Sequence, residues 1–548
     1  MANLHIKIIM SAKLKLIALV SVFVFGVSAG AVQNDKLFEI TKNIELFVNV
    51  YKTLNKDFVD ELDPGELMGR GIDAMVNGLD PYTRYISESK IESYRLSNLG
   101  KYQGMGAIIE VVDDYVTILE PYKDGPAMNA GLRAGDQIIA INGQSTKGKT
   151  SEEVNAISMG APGTAMSLTV RRVGEKKELD IDLIRGETNI PNVPYSGRVA
   201  DNIGYINLTT FTQNASGNIT KALKELKTEG NLDGVVLDLR SNGGGLLAEA
   251  IDICNIFVPK DIEVVTTKGK VRERDQSFKT RRPTIDPEIP LVVLINGKSA
   301  SASEIVSGVM QDLDRGVLIG QRSFGKGLVQ NTPDIGYNSK LKLTTAKYYI
   351  PSRRCIQAVE YEDGLPVDIP DDRRSKFKTK NGRTVLDGGG VTPDIKMPKP
   401  ELAEYTSWLK SNKLIFKFVN EYVLTIDTID GPGDYVFDDY AAFKKFVQSS
   451  GETFEAQIEK DAKELSEKHS EDPALAADLQ SLIAKVQQSH ADDIVTYEDE
   501  IKKQIELELI GRYYYQGGKA KHRLNGDPEI QEAIAVLNDK ARYQNILK

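Results

Sequence analysis

The chain has 548 residues, 41% hydrophobic and 27% charged, with 46 Gly and 21 Pro; this composition excludes collagenous and low-complexity classes and fits three or four globular units. Lys and Arg number 69 against 78 Asp and Glu, a net charge of −9, which argues against a nucleic-acid partner held by phosphate neutralisation. Two cysteines, Cys254 and Cys355, are too few for a disulfide framework or a cysteine-rich zinc site.

Lys7, Lys13 and Lys15 precede an uncharged stretch from Leu16 to Asn34 that contains the small residues Ser28-Ala29-Gly30-Ala31. A basic start, an apolar middle and a small-residue end are the layout of an export leader, so residues 1–31 are read as a signal peptide. A retained anchor is the alternative, because an uncharged stretch of this length just spans a bilayer. Either way the remainder is expected outside the cytoplasm, in the periplasm or anchored at the outer face of the cytoplasmic membrane. Over residues 32–98, Phe38, Ile44, Phe47, Tyr51, Leu54 and Phe58 recur at helical spacing, and Pro64 opens a second helix ending near Leu79-Asp80-Pro81. This region reads as a packing or oligomerisation unit.

Residues 99–186 change period. β-type runs occupy 106–112, 115–119, 137–142 and 166–172, and Thr150-Ser-Glu-Glu153 is a capping box that opens a short helix with Val154 and Ile157 on one side. Within this region the segment Gly125-Pro-Ala-Met-Asn-Ala-Gly131, followed by Gly135-Asp136 and a strand ending Asn142-Gly143, closely resembles the PDZ domains of bacterial exported proteases. The resemblance implies a groove that adds an extended peptide to a sheet edge and holds its free carboxylate on backbone N–H groups. By position the holding loop is Gly104-Met105-Gly106-Ala107, with Val154 and Ile157 on the groove helix.

From 187 to 400, apolar strands at 203–208, 235–239, 291–295 and 317–319 alternate with helical stretches, the pattern of α/β layers. Three loops at strand ends stand out: Asp238-Leu-Arg-Ser-Asn-Gly243-Gly244-Gly245, Asn296-Gly-Lys-Ser299-Ala-Ser301-Ala302-Ser303-Glu304, and Gly320-Gln-Arg-Ser-Phe-Gly325-Lys326-Gly327. The third nearly matches a phosphate-binding loop, but Gly327 stands where Ser or Thr must hold magnesium. The second places a serine at the start of a helix, where a nucleophile meets unpaired N–H groups, although serines there also serve simply as caps. The histidines are His5, His469, His490 and His522, so the region from 190 to 400 has none and a Ser-His-Asp triad within it is excluded. A lysine desolvated enough to lose its proton is the remaining base. Lys326, between two glycines in a largely uncharged loop, fits that role.

Ser299-Ala-Ser-Ala-Ser-Glu304, Gln311-Asp312, Arg315, Phe324-Gly-Lys-Gly327 and Val329-Gln330, with the glycine loop above, Thr344-Thr-Ala-Lys347-Tyr-Tyr and Gly390-Val-Thr-Pro-Asp394, resemble the C-terminal processing peptidases, or tail-specific proteases. The resemblance spans roughly 70–400. It implies a multidomain α+β serine endoprotease in which a PDZ domain precedes a layered, crotonase-like α/β core with a Ser-Lys dyad. Carried over by position, Ser301 is the nucleophile, Lys326 the general base and Gln330 the residue that orients the amine, while Gly245 and Ala302 supply the oxyanion N–H groups. Ser299 and Ser303 are structural, Ser303 as a helix cap, and Asp238 and Arg240 hold the loop. No cofactor and no metal are implied. The expected partners are protein or peptide substrates with apolar C-terminal tails; an adaptor protein that delivers them and a homo-oligomer both fit, and the alternative is a non-catalytic tail-binding adaptor or chaperone.

The charged segment 259–290, with its basic run from Lys268 to Arg282, reads as a solvated hairpin. Residues 401–548 read as a helical module, with Leu475, Leu479, Leu482 and Val486 and then Ile494, Ile501, Ile505 and Leu509 at helical spacing. Its three histidines, at unrelated spacings, are expected on the surface.

Overall fold

The computed structural model describes residues 36–548 except 89, 92–93, 95–100, 359–360, 363–364, 368, 470 and 491. The leader expected over 1–31 lies outside the described residues; among those described, no helix is long and apolar enough to cross a membrane. The described residues form two compact units, one of those up to Ser87 with Asp334–Lys342, the other of the rest.

In the first unit, α1 covers 36–57 and α2 covers Pro64–Asn77. The second helix starts where it does for a local reason: the Asp63 carboxylate accepts from the Glu66 N–H, and Pro64 needs no N–H partner at the first turn. Tyr51 ties the two helices by donating to the Pro64 carbonyl (2.8 Å). The apolar stripe expected on α1 is present, and its Phe38, Ile44 and Leu54 side chains are exposed. Strand β1 (Arg84–Ile86) pairs antiparallel with residues 340–342.

The second unit begins with the PDZ-like domain. Its elements are β2 (Lys101–Gly104), β3 (Ala107–Val112), β4 (Tyr115–Pro121), α3 (Pro126–Asn129), β5 (Gln137–Ile141), β6 (Gln144–Ser145), α4 (Ser151–Ser158), β7 (Ala165–Arg171), β8 (Leu179–Ile184) and β9 (Gly186–Asn189). The sheet runs β3-β4-β5-β7-β8, with β6 on β5. Thr150 and Glu153 form the reciprocal cap expected for α4. Alternate residues of the strands, among them Val116, Ile118, Ile138, Leu168 and Val170, fill one core.

The next layer is a six-stranded sheet in the order β10-β11-β12-β15-β16-β24. It is built from β10 (Tyr195–Ala200), β11 (Ile203–Asn207), β12 (Gly234–Asp238), β15 (Leu291–Ile295), β16 (Val317–Gly320) and β24 (Ile395–Lys396), with α5 (Ala215–Thr228), α6 (Leu247–Phe257) and α7 (Ala302–Asp312) between strands. Neighbours from β11 to β24 are parallel and only β10 is antiparallel. Every residue of β12 and β15 is buried, as parallel strands covered on both faces require. Val235, Leu237 and Val293 face the α5, α6 and α7 side, whereas Val236, Val292 and Leu294 face the other. Each such side chain is worth roughly 1.5–3 kcal/mol on full burial.

A second sheet joins β13 (Glu263–Gly269), β14 (Gln276–Lys279), β17 (Leu328–Asn331) and the later part of β19 (Ser339–Tyr349). The segment expected as a solvated hairpin does form one, β13 with β14, but β13 also pairs with β19 and buries Val264 and Val265. Both valines belong to the core of the α/β layers. In the first unit β18 (Asp334–Gly336) pairs with the start of β19. The two-stranded pairs β20 (Tyr361–Glu362) with β21 (Leu365–Pro366), and β22 (Lys376–Lys378) with β23 (Thr384–Leu386), complete the strands.

The helical C-terminal region comprises α8 (Glu404–Ser411), α9 (Leu414–Tyr422), α10 (Tyr440–Ser450), α11 (Gln457–Lys468), α12 (Pro473–His490), α13 (Asp493–Thr496), α14 (Glu498–His522), α15 (Pro528–Asn538) and α16 (Lys540–Ile546). Helices α8 to α10 and α14 share a core rich in aromatic rings. The chain then returns to the six-stranded sheet: Ile530, Ala533, Val536 and Leu537 of α15 cover its second face. His522 is not on the surface as expected. It is buried and bonded to Glu506 and the Pro432 carbonyl, because a polar group inside a helical core must find partners there.

Candidate active site

The three loops singled out by sequence leave the carboxyl ends of the adjacent parallel strands β12, β15 and β16, the edge at which open α/β sheets place ligands. Ser301 is the N-cap of α7 with φ 57° and ψ −111°, a strained conformation for a residue with a side chain. A capping box joins it to Glu304: the Ser301 side chain faces the Glu304 N–H, and the Glu304 carboxylate accepts from the Ser301 N–H. The neighbouring serines are tied to the glycine loop: Ser299 donates to the Leu239 carbonyl and Ser303 to the Asn242 carbonyl, both at 2.8 Å. Ser303 therefore lies inside the first turn and ties the helix to the glycine loop, rather than capping it as expected.

Glycine is required where that loop meets Ser301. A Cβ on Gly244 (φ 98°) would stand 2.8 Å from Ser301 Cβ, and one on Gly245 (φ 148°) 2.5 Å from the Phe211 carbonyl oxygen. The Gly244 N–H is donated to Asn242 Oδ1 at 2.9 Å. The N–H groups of Gly245 and Ala302 have no acceptor among the described residues, and Ala302 is the first residue of a helix whose N-terminal end favours negative charge.

Two groups join the Ser301 and Lys326 backbones. One carboxylate oxygen of Glu304, Oε2, accepts from the Ser301 N–H (2.8 Å) and the Lys326 N–H (2.8 Å). Its other oxygen accepts from the Gly325 N–H (2.7 Å) and the Ser323 hydroxyl (2.6 Å). The Tyr348 hydroxyl, 2.6 Å from the Lys326 carbonyl oxygen and 3.1 Å from the Ser301 carbonyl oxygen, donates between them. Burial pushes the fully enclosed Glu304 carboxyl up, opposed by the hydrogen bonds from Ser323, Gly325, Ser301 and Lys326. Lys326 itself is half-buried. Gln330, on β17, uses its amide nitrogen on Thr344 Oγ1 and the Leu328 carbonyl, each at 3.3 Å.

Asp238 and Arg240 do hold the glycine loop. Arg240 spans Asp238 (2.6 Å), Asp527 (2.7 Å) and Glu529 (2.6 Å); burial pulls its pKa down, but Asp238 and then Asp527 outweigh burial and raise it. Gln321 of the lysine loop donates to Glu529 as well. The start of α15 thus braces two of the three loops. At the far end of α7, Asp312 pairs with the buried Arg354 at 2.9 Å and accepts from the Ser352 N–H.

Sequence reasoning missed the positioning role of Glu304, Tyr348, Asp527 and Glu529. Glu304 and Tyr348 stand inside motifs already recognised, and an acid three residues after a serine carried the signal. Asp527 and Glu529 carried none.

In the PDZ-like domain, Gly104, Met105, Gly106 and Ala107 join β2 to β3 and are all buried, the Met105 side chain in the core. Among the described residues β3 pairs only with β4, which leaves its outer edge open toward α4. Val154 of α4, expected on the lining of a groove, is wholly buried in the domain core. Ile157, one turn on, is half-buried and nearer the surface.

The comparisons with known proteins follow these divisions. Family models match at residues 202–370 (Peptidase family S41), 117–172 (PDZ domain) and 405–537 (Probable PDZ-protease, C-terminal helical domain). A Carboxy-terminal-processing protease of Bartonella bacilliformis is 36% identical over 332 residues, 60% of this chain and 76% of that protein. A Probable CtpA-like serine protease of Staphylococcus haemolyticus is 30% identical over 413 residues, 75% of this chain and 76% of that protein. Among solved structures, a photosystem II D1 C-terminal processing protease matches with 26% identity over 64% of this chain and 92% of that one, at a TM-score of 0.36. The chain belongs to the carboxy-terminal-processing proteases of peptidase family S41 and is a serine-type peptidase with a PDZ domain and a helical C-terminal domain.

Proposed function

We propose that the chain is an exported endoprotease that recognises the C-terminal tails of proteins through its PDZ groove and cleaves upstream with a Ser301-Lys326 dyad set in a layered, crotonase-like core. The observation that carries this reading is the double tie between the two backbones, through Glu304 Oε2 and the Tyr348 hydroxyl.

The steps follow from general acid-base logic. The neutral Lys326 amine takes the Ser301 hydroxyl proton as the oxygen attacks the substrate carbonyl, then gives it to the departing amine. The oxyanion that forms is met by the Gly245 and Ala302 N–H groups. Water, deprotonated by the same lysine, releases the acyl-enzyme. Gln330, its amide nitrogen engaged by Thr344 and Leu328, presents its carbonyl oxygen to orient the amine. An apolar tail adds to the open edge of β3, with its carboxylate on the N–H groups of the Gly104–Ala107 loop and its last side chain toward Ile157. Holding the tail raises the effective concentration of upstream bonds at Ser301. Substrates are exported or membrane-attached proteins, delivered with or without an adaptor.

The test incubates the purified chain, Ser301→Ala and Lys326→Ala with an unfolded protein ending in apolar residues, and follows fragments by mass spectrometry. Cleavage by the unaltered chain alone, slowed when the terminal carboxylate is amidated, is the expected result. Cleavage that survives Ser301→Ala refutes the dyad, and cleavage indifferent to amidation refutes tail recognition.

A further inference from the structure

The PDZ domain is joined to the helical C-terminal region by contacts that the chemistry at Ser301 does not use. Three ion pairs between described residues leave the PDZ domain, and all three end on that region. They are Glu110 of β3 with Lys413 (2.8 Å), Asp113 of the β3–β4 turn with Lys417 (2.9 Å) and Glu120 of β4 with Lys519 (2.8 Å). Exposed pairs hold little on their own, but the third is shielded, with Lys519 14% and Glu120 6% exposed. Beside it the Arg512 guanidinium donates to the Leu119 carbonyl (3.0 Å) and to Asn420 Oδ1 (2.7 Å), and lies 4.8 Å from the centre of the Phe416 ring. Asn420 in turn sits against Gly135 of the turn before β5, where a Cβ would fall 2.7 Å from Asn420 Cγ. The two surfaces meet there too closely for any residue larger than glycine.

A break in α14 shapes this grip. Tyr515, inside the helix, has φ 54° and ψ −159°, a conformation that persists only where the surroundings hold it. Past the break Lys519 lies across Gly511, where a Cβ would collide with Lys519 Cε. The Tyr515 hydroxyl reaches Met128 Sδ on α3 at 3.1 Å. Beyond the turn that follows His522, the same stretch of chain meets the candidate active site. Asp527 and Glu529 pair with Arg240, which holds the glycine loop, and Glu529 accepts from Gln321 of the lysine loop.

We propose that the stretch from Arg512 to Glu529 is a bracket that holds the PDZ groove at a set position relative to Ser301. Arg512 and Lys519 are its positioning residues, and Lys413 and Lys417 of the α9 start give a second point of attachment. One end of the bracket grips β4, the neighbour of the groove strand β3, and the other grips the loop that carries Gly245. A tail seated in the groove then presents its upstream bonds at a fixed separation from Ser301, which keeps their effective concentration there high. That consequence rests on the tail-recognition reading, whereas the bracket itself rests on the contacts alone.

The test reverses three charges in the full chain, Lys413→Glu, Lys417→Glu and Lys519→Glu, and then restores the attraction by adding Glu110→Lys, Asp113→Lys and Glu120→Lys. Spin labels on Lys147→Cys in the PDZ domain and Lys224→Cys on α5, both exposed positions, report the separation by pulsed electron paramagnetic resonance. Cys355→Ser removes the half-buried native thiol, and Cys254 is wholly buried. The second readout is the ratio of kcat/KM for a peptide with a free apolar C-terminus to that for its amide, beside the affinity of the chain for a short tail peptide. A single narrow distance is expected in the unaltered chain, a distribution at least twice as broad in the triple reversal, and a narrow one again in the six-fold swap. The ratio should fall at least ten-fold in the reversal with tail affinity unchanged, and recover in the swap. Distances that stay narrow in the reversal, or that stay broad in the swap, overturn the bracket, and a ratio that falls only in step with tail affinity overturns its positioning role. A ratio near one in the unaltered chain refutes tail recognition instead, and the label distances still decide the bracket.

Discussion

Replacing Glu304 by Gln tests whether one buried carboxylate sets the distance between nucleophile and base. Glu304 accepts four hydrogen bonds, two per oxygen, all between 2.6 and 2.8 Å. Glutamine keeps one acceptor oxygen and turns an NH₂ group toward the other two donors, so two charge-assisted bonds are lost, worth about 1.5–3 kcal/mol each. The neutral amide is spared the desolvation that pushes the Glu304 carboxyl up, which offsets part of this and leaves a net destabilisation of about 2–4 kcal/mol. Either pair of orphaned donors includes a backbone N–H of Ser301, Gly325 or Lys326, so the loops separate. A displacement near 1 Å between reacting groups costs on the order of 10²-fold in rate. The assay is kcat and KM on a tail-bearing peptide, read well below the unfolding midpoint of the variant, beside the affinity of the PDZ groove for the same tail. We expect kcat to fall about 10²-fold with tail affinity unchanged. A Glu304→Gln chain that keeps kcat within about three-fold of the unaltered one would show that the carboxylate does not position the dyad.

Gly245→Ala should lower kcat by about 10²–10³-fold, the usual cost of removing an oxyanion donor, with tail binding intact by fluorescence titration; the added methyl collides with the Phe211 carbonyl and swings the N–H away. Asp312→Ala strands the Arg354 guanidinium, whose side chain is 1% exposed, and should cost about 3–5 kcal/mol in denaturant unfolding. The His522–Glu506 pair predicts a pH optimum for the stability of the helical region. The hydrogen bond that His522 donates to the Glu506 carboxylate raises His522 above its ordinary 6.5, so that contribution is full below pH 6.5 and is lost as pH climbs through the raised folded value. For Glu506 burial acts upward, but the bonds from His522 and the Phe437 N–H win and lower it from 4.5; its contribution is present above pH 4.5 and is lost as pH falls through the lowered value. Melting temperature should therefore peak between these limits and flatten above pH 6.5 in His522→Gln, whereas an unchanged profile in that variant would discount the pair.

The parts of the molecule that were legible in the sequence are those set by local pattern. Uninterrupted runs such as Gly234–Asp238 and Leu291–Ile295 announce strands covered on both faces, and Asp63-Pro64 and Thr150 with Glu153 announce helix starts, because the energies involved act within a few residues. The glycines at 244 and 245 and the serine at 301 were visible as a combination that costs stability unless it serves a site. What pattern could not supply was partnership across the chain. Arg240 finds Asp527 and Glu529 nearly three hundred residues later, and no periodicity encodes that meeting. Ser303 reads as a cap because serine favours caps, yet the glycine loop passing overhead offers its hydroxyl the Asn242 carbonyl. Val154 belongs to a helix expected to line a groove, but the strands of the domain close over it. His522 reads as a surface residue in a charged segment until Glu506, four turns earlier on the same broken helix, is seen to face it.

The measurement that bears most directly on the account is the site of the covalent intermediate. The chain is mixed with a peptide ester of an apolar-tailed sequence, quenched in acid within the first turnover, digested and read by mass spectrometry. The account predicts an acyl group on Ser301 that accumulates in the unaltered chain and is absent from Lys326→Ala, although that variant still binds the tail. An acyl group on Ser299 or Ser303, or one on Ser301 that forms at the same rate without Lys326, would contradict it.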